Sequence, residues 1–188
     1  ELPGMIDDAL RSGARLNHPD CYECNAIVIA VRANNHRAIS PLLARGAVIP
    51  PPPNGTTLLM DACRARDLEM AIKLINVAKM NVNDCDATGK TALHYAVMAG
   101  CEDITTLLLG AGADPDAKAN ALAGNEIVDI FGYDFQLFGK DITPLMIACS
   151  NGNEQLVHEL LEANASPDKG ACSPLLIAAH HHHQSLFE

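Results

Sequence analysis

"GKTALHYAVMAGCEDITTLLLGAGADPD", residues 89–116, decides the fold. The Thr91 hydroxyl is placed to cap a helix carrying Leu93, Ala96 and Val97 at i, i+3, i+4 spacing. Gly100 then offers the left-handed backbone that ends such a helix. A second helix follows with Ile104, Leu107 and Leu108 on one face, and Gly112 stops it before the polar turn "ADPD". Small Ala residues let the two helices approach closely. Neither helix can bury its apolar stripe alone, so the pair needs stacked neighbours.

The neighbours are in the sequence. "NGTTLLMDACRARDLEMAIKLINVAKMNVN" (54–83), "DITPLMIACSNGNEQLVHELLEANASPD" (141–168) and "SPLLIAAHHHHQSLFE" (173–188) repeat the pattern. "NAIVIAVRANNHRAISPLLARGAVI" (25–49) is a fainter copy, and "MIDDALRSGARLN" reads as the tail of one more. First helices start at Asn25, Thr57, Thr91, Thr143 and Ser173, at intervals of 32, 34, 52 and 30 residues. Asn34, Arg66 and His182 stand where the helix-ending glycine belongs, and Pro41 falls inside a second helix, where distortion is expected.

In "G-K-T-A-L-H-Y-A-V-M-A-G" and "LLLGAGAD" the chain resembles the ankyrin repeat. The resemblance implies an all-α solenoid of stacked helix-turn-helix units joined by hairpin fingers. The expected organisation is one domain over residues 1–188. It has a partial unit at 1–17 and units at about 20–50, 54–83, 86–116, 141–168 and 170–188, with an insertion at 119–140. The opening "ELPG" lacks Met, and the last unit stops part-way along a second helix. A fragment of a longer protein is therefore expected.

The insertion follows from the 52-residue interval, which exceeds the roughly 33-residue ankyrin period. It falls at a finger and gathers Phe131, Tyr133, Phe135 and Phe138, more than half of the chain's four Phe and three Tyr. Two readings stay open. The rings cover the edge of their own array, or they face outward, with Asp134, as anchors for a partner.

The resemblance also implies which helix positions face the concave surface: Arg32 and Ala33, Arg64 and Ala65, Met98 and Ala99, Ser150 and Asn151, His180 and His181. The residue before each small pair adds Asp61, Tyr95 and Ile147. Their chemistry varies while the framework stays apolar. The protein-binding candidates are thus Phe131, Tyr133, Asp134, Phe135, Phe138, Asp61, Arg64, Tyr95, Met98, Ser150, Asn151 and His180.

Catalysis and metal binding find little footing. Cys21 and Cys24 have metal-ligand spacing, but only His18 and His36 lie near enough to complete a site. Cys63 and Cys149 sit at small-residue packing positions, and the 180–183 histidine run is in repeat register. His94 falls at the family's Thr-x-x-His position and is expected to be structural. "TGKT" (88–91) has Asp84 where a phosphate loop needs glycine. "DPD" lacks the glycine and distal glutamate of a calcium loop. Cys85 and His94, though near in sequence, belong to a finger and a helix. No catalytic residue, cofactor or metal is expected.

Composition narrows the partner. Hydrophobic residues at 48% and charged residues at 19% indicate a folded chain, and the longest apolar run, residues 26–31, cannot span a membrane. A net charge of −10 argues against nucleic acid. Seven Cys without a secretory leader suggest reduced thiols in a cytoplasmic setting. The expected function is a protein-protein interaction module, the substrate-recognition region of a larger protein. It is similar in style to ankyrin regions of bacterial effectors such as arginine ADP-riboxanases, which implies a host caspase as partner and the host cytosol as location. The alternative is a structural or regulatory array packing against another domain of the same chain.

Overall fold

The structure is a computed structural model describing residues 2–19, 24–52, 55–120, 141–170 and 173–180. Ten helices lie within them: α1 Leu2–Arg11, α2 Ala26–Arg32, α3 His36–Ala44, α4 Leu58–Arg64, α5 Leu68–Asn76, α6 Ala92–Met98, α7 Glu102–Gly110, α8 Pro144–Asn151, α9 Glu154–Glu162 and α10 Pro174–His180. They form two rows. The inner helices α2, α4, α6, α8 and α10 each pack on the next, and α1, α3, α5, α7 and α9 do the same outside them. Within a unit the two rows meet as the pairs α2–α3, α4–α5, α6–α7 and α8–α9. The described residues form no strand longer than an isolated bridge.

Local chemistry sets each start and stop. The side-chain oxygens of Asn25, Thr57 and Thr143 accept from the backbone N–H of Val28, Met60 and Met146 at 3.3, 3.3 and 3.4 Å. In the outer row Asp67 and Asn153 cap α5 and α9 through Met70 N and Leu156 N. Inner helices end at a residue of positive φ: Asn34 at 55°, Arg66 at 59°, Gly100 at 67° and Gly152 at 64°. Asn34 and Arg66 thus adopt the left-handed backbone of the glycines they replace. Pro41 does not interrupt α3, which is continuous from His36 to Ala44. The helix forgoes one ladder bond, to the carbonyl of exposed Arg37, while Ile39 and Leu42 stay buried on its other side.

The core runs the length of the stack between the rows. Ile27, Leu59, Leu93 and Leu145 from the inner helices meet Ile39, Leu74, Leu108 and Leu160 from the outer ones, all buried. Each such side chain contributes about 1.5–3 kcal/mol on burial. Ala30, Ala62, Ala96 and Ala148 are buried at the same phase of their helices and leave room for close packing. Cys63 and Cys149 fill the next position, and burial pushes their thiols up to about 12 and about 11. They are packing residues.

Side chains also stitch the fingers together. Asn17 donates to Gly46 O (3.0 Å) and accepts from Val48 N (2.8 Å). Two periods on, Asn83 donates to Gly112 O (2.9 Å) and accepts from Asp114 N (2.8 Å). Asp116, acceptor only, keeps half of this rung, taking Ser166 N at 2.7 Å. Pro50 stands at the same position between Asn17 and Asn83, and its side chain can make neither bond.

Candidate protein-binding face

Because each inner helix starts just after an equivalent repeat position (Asn25, Thr57, Thr91, Thr143 and Ser173), residues at fixed distances from it share a face. Ile29, Asp61, Tyr95, Ile147 and Ile177 lie four past that position; Arg32, Arg64, Met98, Ser150 and His180 lie seven past. Tyr95 fixes where that face points. Its hydroxyl donates to Asp86 Oδ2 at 2.6 Å, and Asp86 belongs to the finger closed by the Cys85–Thr91 bridge. The face therefore looks toward the fingers, the concave side of the array.

Its exposure falls along the stack. Ile29 is 48% exposed, Asp61 is half-buried, and Tyr95, Ile147 and Ile177 are 6%, 3% and 7% exposed. In the second column Arg32 and Arg64 are exposed, Met98 is half-buried and Ser150 is buried. Asn151 is exposed, with its Nδ2 3.4 Å from Val97 O. The open part of the face is thus the stretch on α2 and α4. The His180 side chain and Phe131, Tyr133, Asp134, Phe135 and Phe138 lie outside the described residues.

A charged network occupies the middle. The Arg64 guanidinium lies 5.1 Å from the Tyr95 ring centroid and Lys90 Nζ lies 5.7 Å from it. Burial pushes the Tyr95 hydroxyl up to about 12, with the Asp86 carboxylate adding to the effect. Burial opposes the charge on Asp86, but hydrogen bonds from Thr88, Tyr95 and the Lys90 backbone outweigh it and hold the carboxyl below its ordinary range. Asp61 goes the other way. Burial raises it, against the pull of Arg64 and Arg32. Sequence reasoning missed Ile29, Lys90 and Asp86. Counting four from the cap would have found Ile29, but nothing in sequence brings the finger residues over Tyr95.

The departure point of the insertion is well defined. Ala119 and Ile142 exchange two backbone hydrogen bonds of 2.9 Å, and Lys118 pairs with Asp141 at 3.2 Å. Asn120 N donates to Thr88 O at 2.7 Å, and a Cβ added to Gly89 would meet Lys118 O at 3.0 Å. Across this neck lies fully buried His94. Its Nδ1 accepts from Thr91 N at 3.1 Å, so Nε2 carries the proton and donates to Ile142 O at 3.1 Å. Burial holds the imidazole down at about 4, neutral at physiological pH.

The sequence matches the family described as "Ankyrin repeats (3 copies)" over residues 27–119 and 121–188. It is 26% identical over 152 residues to "Glycerophosphocholine phosphodiesterase gde1" of Schizosaccharomyces pombe, covering 80% of this chain and 12% of that protein. It is also 30% identical over 111 residues to "Protein phosphatase 1 regulatory subunit 27" of Mus musculus and of Homo sapiens, covering 59% of this chain and 60% of each relative. The chain thus spans only part of the length of these relatives. With stacked helix pairs, capped starts and a matched family over most of its residues, the chain belongs to the ankyrin-repeat family, whose repeats are protein-interaction modules.

Proposed function

We propose that this array binds a partner protein through its concave face. The contacts assigned are Asp61, Arg64, Tyr95 and Met98, with Ser150, Asn151 and His180 further along and Phe131, Tyr133, Asp134, Phe135 and Phe138 of the insertion as a second contact. One observation supports the reading most. The Arg64 guanidinium lies beside the Tyr95 ring on this face, and these are residue types in which binding energy concentrates. The phosphatase relative, named as a regulatory subunit, also supports a protein partner.

Two variants test it. One carries Arg64→Ala and Met98→Ala; the other Phe131→Ala, Tyr133→Ala and Phe135→Ala. Each is compared with the parent for partners recovered from native lysate and for melting temperature. Lost partners at unchanged melting temperature are expected. Retained partners with a lowered melting temperature would make the residues structural.

Ankyrin repeats are generally non-catalytic, and recognition on behalf of a larger protein is the finer reading. The 12% share of the fission-yeast relative is consistent with an array inside a longer chain. It is equally consistent with the array packing against a neighbouring domain, and a proximity cross-link within one chain rather than between two would favour that alternative. A cytoplasmic location is proposed from the free thiols of Cys63, Cys85, Cys101 and Cys149. No helix among the described residues is long and apolar enough to cross a membrane. The narrower expectation of a bacterial effector holding a caspase rests on no residue or relative described above and forms no part of the proposal.

A further inference from the structure

Charge is distributed unevenly along this protein. Residues 1–66 hold all seven Arg, no Lys and six acids, a balance of +1; residues 67–188 hold six Lys against 17 acids, a balance of −11. Two of those arginines, Arg32 and Arg64, stand at the same register position on adjacent inner helices, exposed on the open part of the concave face. Neither forms an ion pair with any described carboxylate. Arg32 Nη1 donates to Cys24 Sγ at 3.2 Å, and the Arg64 guanidinium lies over the Tyr95 ring. Asp61, the acid between them in register, feels the pull of both guanidinium groups but makes no close ion pair with either.

Beside Arg32 the surface opens. A cavity of about 700 Å³ is lined by Val28, Ile49, Pro50, Leu58 and Met80, with Arg32, Asn25 and Asp84 on its wall. It lies where Pro50 leaves the finger rung unmade, so the second and third units are not laced across it as their neighbours are. An apolar recess thus adjoins a guanidinium, with a second guanidinium one repeat further along.

Resting on the concave-face reading above, we propose that units two and three receive an acidic peptide segment of the partner. An apolar side chain enters the Pro50 recess and neighbouring Asp or Glu carboxylates engage Arg32 and Arg64. Guanidinium suits this role because its planar fork can take a carboxylate through two parallel N–H donors, and Arg64 can keep its place beside Tyr95 while doing so. The strongly acidic remainder of the chain repels such a segment from other surfaces and steers it to this end. Duplex nucleic acid, whose phosphates follow one another along a rigid rod, would meet that same acidic remainder.

Selection of an unbiased displayed-peptide library on the full chain tests this. Enrichment of Asp or Glu near an apolar residue is expected. Each of Arg32→Gln and Arg64→Gln is expected to weaken the selected peptides about tenfold, the loss of one charge-assisted contact. Arg64→Glu should shift enrichment toward Lys and Arg, and added salt should weaken binding of the parent. Peptides without acids that still lose binding with Ile29→Asp would overturn this proposal and leave the concave-face reading standing. Peptides indifferent to both Ile29→Asp and the arginine variants would overturn both. Phosphoserine analogues that bind while Glu peptides do not would also overturn it.

Discussion

His94 of α6 holds the carbonyl of Ile142, 48 residues away, at 3.1 Å. One buried imidazole thus joins the helix before the insertion to the strand-like residue after it. The ring's other bond, Nδ1 accepting from Thr91 N, requires a neutral imidazole, and burial holds the ring at about 4 against its ordinary 6.5. Between those values the unfolded chain carries a proton that the native chain lacks. Stability therefore falls as pH drops through that window, by about 3 kcal/mol in all. Urea melts from pH 7 to pH 4 should read this slope. His94→Gln should flatten it while losing about 1–3 kcal/mol at pH 7.

Positive-φ positions give a second prediction. Exposed Lys79 sits at φ 55°, at the place where Gly46 and Gly112 end the equivalent turns. Lys79→Gly should stabilise the array by about 1 kcal/mol. Gly89→Ala should do the reverse and cost more than about 2 kcal/mol, since its Cβ would meet the Lys118 carbonyl at 3.0 Å as well as strain the backbone at φ 81°. Thermal melts of the two variants decide the signs.

The rung at Asn83 is a third target. Asn83→Ala removes both bonds to the next finger and should cost about 1–2 kcal/mol. Hydrogen exchange at Asp114 N, the donor in one of them, should quicken well before exchange in α6 and α7.

Tyr95→Phe removes the 2.6 Å bond to Asp86 and keeps the ring beside Arg64. Asp86 should then titrate closer to its ordinary value, as read by carboxyl NMR. Its folded pKa is depressed, so its contribution is present above the unfolded value of 3.8 and fades as pH falls through the folded one. The variant should therefore be less stable by about 1 kcal/mol at pH 7 and closer to the parent in strong acid.

What was legible in sequence was whatever depends on local chemistry. Asn25, Thr57 and Thr143 announce helix starts because a short polar side chain reaches the third N–H along the chain. Leu59 with Leu74, or Leu93 with Leu108, announces a two-row core because the spacing puts both on facing stripes. Arg66 could be placed at a left-handed turn only by its register with Gly100. Pro41 misled because the cost of a proline in a helix interior is offset where the rest of the stripe stays buried. The Tyr95–Asp86–Lys90 cluster was hidden for a geometric reason: its members meet only after the finger folds back across its own helix. The burial of Ser150 and Tyr95, both read as concave-surface contacts, depends on the whole stack and on no neighbouring residue in sequence.

The two backbone bonds of the Ala119–Ile142 pair are made by the residues that flank 121–140 and by none within it. Spine geometry is therefore decoupled from whatever is carried at that gate. Such a decoupling makes it a natural cassette position, where a foreign recognition loop could be exchanged for residues 121–140 while units on either side keep their register.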